Sequence, residues 1–301
     1  MRIMAIDIGT NTTLHLVADI DVERLEIVER GLVGSKLGLG LINGNRLTAE
    51  TIDNHSQIFS ELTDRAANLG CQKIGAVGTH ALRIALNRNS LVEMAAEAGL
   101  DLRVISAQEE AQLGWTGHFD MAGSSAPTAL LDIGGGSSEL SIGSGTVPNW
   151  TSSIPVGGLN ITKLFFHHDP PIAEEIFRAK NYIDSSYRSW KNVLDKNCPL
   201  IGVSGVMTSI AAIQGRISNY SPGIFEGITL NGEYITSLKD RLIVMSKAER
   251  AALPGMPEHV IGSIHASVMI VEHVLNLLSV GEIVVSERGV LFGLAFWLSK
   301  N

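Results

Sequence analysis

A fold of two duplicated α/β domains facing an interdomain cleft is predicted by three features of the chain. Residues 5–18 read AIDIGTNTTLHLVA and residues 130–142 read LLDIGGGSSELSI; each is an apolar run, a small-residue turn and a second apolar run, the pattern of a β-hairpin with an aspartate at its tip. The elements predicted after each hairpin follow one order, βββαβαβα. A length of 301 residues, 45% hydrophobic and only 18% charged, supplies two buried cores at roughly 150 residues per domain. The domains are expected at 1–123 and 124–301, the closing helix able to pack back on the first.

The first hairpin is followed by a strand near 24–30 and a helix over 48–69. That helix aligns Ile52, Phe59 and Ala66 with Leu62 and Leu69 before Gly70 stops it. A strand at 73–77, helical residues 79–98, a strand at 101–105 and a helix over 107–119 complete the first half. The second hairpin leads to a strand near 146–153 and a long helix over 171–195, in which Ile172, Ile176, Ile183, Tyr187, Trp190 and Leu194 share a face behind prolines suited to a first turn. A strand at 199–203, a helix over 205–214, an inserted helical region, a helix over 257–278, a strand at 282–286 and a closing helix follow.

Composition excludes several functions. With 23 Lys and Arg against 31 Asp and Glu the net charge is −8, the wrong balance for coating nucleic acid, so a polyanionic ligand needs a local donor set or a metal ion. Cys71 and Cys198 stand alone, which fits a reducing cytosol. Asp7 interrupts the first apolar run, and the uncharged stretches are rich in Gly, Ser, Thr and Pro. Neither a signal peptide nor a membrane span is expected, and the location expected is cytoplasmic.

The chemistry is concentrated in the hairpin turns. Gly134, Gly135 and Gly136 let the backbone approach a ligand and aim its N–H groups at an anion, and Ser137 and Ser138 add hydroxyls. Asp132 suits Mg²⁺, with Glu139 supporting the ion or a water. The first turn repeats this chemistry with Gly9, Thr10, Asn11 and Thr12 as phosphate donors and Asp7 as the acidic residue. Ser106 and Glu109 form a capping box, which leaves Glu110 free to act as a general base. Arg83 is placed to neutralise a phosphate. The turn Gly202–Gly205 is a plausible ligand rim, and the Gly31–Gly44 stretch with Lys36 reads as a cover or a plain loop. His167, His168 and Asp169 read as a helix-leading loop rather than a metal site, and His259, His265 and His273 lack the spacing of a helical zinc pair.

These residues together resemble the exopolyphosphatase/guanosine pentaphosphate phosphohydrolase (Ppx/GppA) family, within the actin, sugar-kinase and heat-shock ATPase superfamily. The resemblance runs through AIDIGTNTTLHLV, GTHALRIALN, VISAQEEAQLGWTG and LLDIGGGSSELSIG, then more loosely through SIPVGGLNITKLF and GVSGVMTSIAAI. It implies a short, two-domain member with actin-like, ribonuclease H-like domains. By that resemblance Glu110 is the catalytic base, Asp132 and Glu139 act around metal and water, and the two turns and Arg83 contact phosphate. The family's Arg-Glu-Gly near the closing helix aligns with Leu291-Phe292-Gly293, its Arg-Ala-Asp with Pro257-Glu258-His259, and an early arginine with Lys36.

The function expected is release of terminal phosphate from inorganic polyphosphate with Mg²⁺ as cofactor. Guanosine pentaphosphate is the alternative substrate. A non-catalytic sensor of guanosine tetra- or pentaphosphate and a kinase-like ATPase are the other readings. Neither nucleic acid nor membrane is an expected partner, and a homodimer is the expected assembly.

Overall fold

The computed structural model describes residues 1–21, 24–34, 37–42, 45–120, 123–195 and 198–301, which leaves Lys36 outside the described residues. The chain divides into two compact units, Met1–Gly123 with Arg288–Asn301, and Ser124–Glu287. Among the described residues no helix is long and apolar enough to cross a membrane.

The first unit opens on an antiparallel meander of β1 (Arg2–Ile8), β2 (Thr13–Ile20) and β3 (Leu25–Val33). A small ladder pairs β4 (Leu41–Ile42) with β5 (Arg46–Leu47). Helix α1 (Ala49–Asn68) starts where the Thr48 side chain accepts from the Thr51 N–H, and it buries Ile58, Phe59, Leu62 and Ala66. Then come β6 (Lys73–Gly78), α2 (His80–Ile84), α3 (Asn89–Glu97), β7 (Leu102–Val104) and α4 (Ala107–Phe119). The five strands lie in the order β3-β2-β1-β6-β7, with β6 parallel to β1 and β7 parallel to β6. The single helical stretch expected over 79–98 is broken between α2 and α3. Asn87 there accepts from the Leu47 N–H at 2.8 Å and donates to the Leu47 carbonyl at 3.0 Å. That pairing with a distant strand outweighs the local helical preference.

The second unit repeats the arrangement. Its strands are β8 (Ser124–Ile133), β9 (Ser138–Gly145), β10 (Pro148–Ile154), β11 (Leu200–Val203), β12 (Thr229–Asn231) and β13 (Glu282–Ser286). Its helices are α5 (Gly158–Phe165), α6 (Ala173–Tyr187), α7 (Gly205–Gly215), α8 (Gly232–Ile243), α9 (Lys247–Ala251) and α10 (Ile264–Leu278). The sheet order β10-β9-β8-β11-β13 matches that of the first unit, strand for strand, with β12 added at the far edge. The fold is therefore a duplicated α/β fold. Three expectations shift. The helix expected over 171–195 is α6, followed by a short 3₁₀ turn at Arg188–Trp190, with both prolines ahead of its first turn. The helix expected over 257–278 begins only at Ile264. Helix α5 was not anticipated at all, because Gly157-Gly158 reads locally as a loop.

The closing helix α11 (Val290–Lys300) groups with the first unit, and the second unit runs from Ser124 to Glu287. Two glycines explain the attachment. A Cβ on Gly117 of α4 would stand 2.0 Å from the Gly289 carbonyl oxygen, and one on Gly293 would stand 2.0 Å from that of Leu113. The two helices thus touch backbone to backbone, and Leu291, Phe292 and Leu294 join the core over Ile3, Ala5 and Leu16.

Buried histidines give the fold an acid limit. Burial, then the charge of Arg250, pushes His265 down to about 3, and burial with Arg83 pushes His80 down to about 4. Both values lie below the unfolded value of about 6.5. The stability tied to keeping these rings neutral is present above that value and is lost as pH falls through it toward the folded values. Between pH 7 and pH 5 each ring should remove about 2 kcal/mol. Urea unfolding at the two pH values should show this loss, and His265→Gln should shrink it; an unchanged pH dependence in the variant would refute the assignment.

Candidate active site

In the second unit the turn after Asp132 is built by the helix that follows β10. The Gly134 N–H donates to the Ser137 carbonyl at 2.9 Å, closing the turn. The Gly134 carbonyl accepts from the Gly158 N–H at 3.1 Å, and that of Gly135 accepts from Leu159 at 2.9 Å and Asn160 at 3.2 Å. The Gly136 carbonyl accepts from the Asn160 side-chain amide at 2.8 Å. Three successive carbonyls therefore point at the start of α5. In a trans peptide the next residue's N–H points the opposite way, so the N–H groups of Gly135, Gly136 and Ser137 all face away from α5. That is a concave row of donors suited to an anion.

Asp132 and Glu139 pair directly across β8 and β9 and so share one face of the sheet. Glu139 is buried and accepts from the Ser153 hydroxyl at 2.7 Å. Ser137 is buried in the turn, with its N–H in the outward row. Ser138 is a correction. Its side chain is fully buried, and its hydroxyl meets the Val156 carbonyl at 2.8 Å and the Tyr187 hydroxyl at 2.7 Å. It ties β9 to α6 instead of presenting a hydroxyl to phosphate. Ser204, in the Gly202–Gly205 turn, caps α7 by accepting from the Met207 N–H.

In the first unit the turn of Gly9, Thr10, Asn11 and Thr12 is closed by the Gly9 N–H donating to the Thr12 carbonyl at 2.9 Å. The Thr10 carbonyl accepts from Gly38 at 2.7 Å, and Leu37 and Leu41 are buried beside it. The described part of the Gly31–Gly44 stretch is thus packed against the turn. Ser106 and Glu109 form the expected capping box, with Glu109 accepting from the Ser106 N–H at 2.8 Å. Glu110 is 8% exposed and turned inward. It accepts from Arg83 Nη1 at 2.5 Å, and the same nitrogen reaches the Ile105 carbonyl at 3.2 Å. Burial raises the Glu110 carboxyl above the ordinary range, while Arg83 works against that rise. Asp7 feels both neighbours: burial, then the Glu110 charge, pushes it up to about 7 against the pull of Arg83. Arg83, expected as a phosphate contact, also pairs with Glu110 through Nη1.

One observation bears on Mg²⁺. Asp7 Oδ1 is buried and has no hydrogen-bond partner among the described residues, and it is a hard oxygen of the kind this cation takes. Among the described residues no group of three or more His, Cys, Asp or Glu is gathered. Mg²⁺ characteristically takes one or two carboxylates and completes its shell with water and phosphate oxygens; Asp7 in the first unit, and the Asp132–Glu139 pair in the second, each offer carboxylates of that kind. The histidine motif near 167 is structural. Glu175 accepts from the N–H groups of His167, His168 and Ile172 and from the His168 ring, closing the loop ahead of α6.

Two features escaped the sequence reading. Gly157, Gly158 and Asn160 shape the glycine turn; their one local signal is a Gly-Gly pair ahead of the apolar repeat Leu159, Ile161, Leu164. The segment aligned with Arg-Glu-Gly, Leu291-Phe292-Gly293, lies inside α11 and serves packing. Immediately ahead of that helix stands Glu287-Arg288-Gly289, the same three residue types in another order. Glu287 accepts from the Tyr220 hydroxyl at 2.6 Å and from the Gly223 and Phe225 N–H groups, and Arg288 pairs with Asp120.

The fold has counterparts among solved structures. An exopolyphosphatase from Cytophaga hutchinsonii superposes with a TM-score of 0.89 at 27% identity, covering 100% of this chain and 98% of that one. The Aquifex aeolicus Ppx/GppA protein gives a TM-score of 0.82 at 25% identity over 100% and 99% of the two chains. In sequence, exopolyphosphatase 2 of Mycobacterium tuberculosis is 27% identical over 99% of this chain and 98% of its own length. The model of the Ppx/GppA phosphatase family matches residues 16–300. With the duplicated sheets and nearly the whole length in register with that model, the chain belongs to the Ppx/GppA phosphatase family.

Proposed function

We propose that the protein is an exopolyphosphatase that hydrolyses the terminal phosphoanhydride of inorganic polyphosphate. The observation that carries this reading is the row of outward N–H groups on Gly135, Gly136 and Ser137. Three donors in one concavity suit the oxygens of a phosphoryl group, and they act without any side-chain charge. The curated relative named an exopolyphosphatase supports the choice of polyphosphate.

Glu110 is the general base. It orients a water and takes its proton as the water oxygen bonds to phosphorus and the bridging P–O bond breaks, which leaves inorganic phosphate and a chain one unit shorter. Arg83 holds Glu110 in place and works against the burial that raises its carboxyl. The turn at residues 9–12 supplies further donors to phosphate. Asp7, Asp132 and Glu139 would hold Mg²⁺, whose charge offsets that of the phosphate oxygens when bound.

Phosphate release from polyphosphate, guanosine pentaphosphate and ATP, each with Mg²⁺ or with excess chelator, tests the reading. Polyphosphate with Mg²⁺ should be fastest, and chelator should abolish release. Faster release from the pentaphosphate would reassign the substrate. No release from any of the three, with guanosine tetraphosphate still bound, would replace the hydrolase by a sensor.

A further inference from the structure

Asn160 lies on the first turn of α5, half-buried, with its side-chain amide on two carbonyl oxygens, Gly136 at 2.8 Å and Pro155 at 3.4 Å. Both contacts are to acceptors, so the NH₂ end faces the turn. The Gly134 and Gly135 carbonyls are held by backbone donors of α5, which no side-chain change removes. The third peptide, Gly136–Ser137, is held by this one side chain. A peptide with glycine on one side rotates at little steric cost. Turned over, it would aim the Gly136 oxygen where the Ser137 N–H now points, replacing a donor to phosphate with a partial negative charge.

We infer that Asn160 is a positioning residue that locks the Gly136–Ser137 peptide with its N–H outward and so completes the phosphate-binding row. The inference rests on the reading of that row as a phosphate site. Gly157 supports the same geometry from below. A Cβ there would come within 2.5 Å of the Gly134 oxygen and of the Gly135 carbonyl carbon, so the turn can sit this low on α5 only over glycine.

The test is amide NMR of the full chain titrated with inorganic phosphate, in the wild type and in Asn160→Ala and Asn160→Asp. In the wild type the amides of Gly135, Gly136 and Ser137 should all shift. In both variants the Ser137 response should vanish while those of Gly135 and Gly136 persist. Phosphate Kd should rise roughly tenfold to a hundredfold, the worth of one hydrogen bond to a charged group. Asn160→Asp should be the worse, because a carboxylate cannot donate to the Gly136 carbonyl and repels it. A full Ser137 response in both variants, with unchanged Kd, would overturn the role of Asn160 and leave the phosphate site standing. No response from any of the three amides in the wild type would overturn the phosphate site itself, and the inference with it.

Discussion

Glu110→Gln is expected to lower kcat for polyphosphate by about 10²–10⁴, the usual worth of a positioned general base. The substitution keeps the shape and the contact with Arg83 but cannot accept the water's proton. KM should change little, because the role proposed for Glu110 is toward the water and not toward the chain of phosphates. The neighbouring Glu109→Gln supplies the contrast. Its carboxylate is spent on the Ser106 capping box, so that variant should lose stability but keep most of its turnover. Burial raises the Glu110 carboxyl, and a base must be ionised to work. Activity should therefore climb with pH along an acidic limb above the ordinary glutamate range, and the limb should disappear in Glu110→Gln. A variant that keeps most of its kcat, or Glu109→Gln proving the more damaging, would remove Glu110 from the mechanism.

Arg83→Met should cost about 3–5 kcal/mol of stability, the typical result of removing one partner from a buried ion pair. The Arg83 and Glu110 side chains are 19% and 11% exposed, so water can do little to replace the lost partner. Without Arg83 the burial that raises the Glu110 carboxyl would act unopposed by that charge, and turnover should fall along with stability. The double variant Arg83→Met/Glu110→Gln should recover most of the lost stability, because it leaves no unpaired charge inside. Urea unfolding of the two single variants and the double variant gives the coupling directly. Additive losses would mean that the pair contributes no coupling and that Arg83 acts elsewhere.

What the sequence by itself determined is what depends on near neighbours along the chain. The capping box of Ser106 with Glu109 and the cap of Thr48 on α1 join residues three apart, and the two Asp-Ile-Gly hairpins pair strands linked by a tight turn; each is present, as is the glycine stop after α1. The repeated order of elements along the chain was legible in the same way, and the matching spatial order of the strands is what the structure added. Only the tertiary structure decided the rest. Asn87 breaks a helix because it meets Leu47, and Ser138 turns inward because Tyr187 waits there. Arg83 meets Glu110 across 27 residues, α11 returns to the first unit because two glycines let it touch α4, and α5 aims three peptides by holding their carbonyls. Each of these is a choice between partners that a local pattern leaves equally open. Burial settles it, because a polar group removed from water must take whichever partner the fold brings within reach.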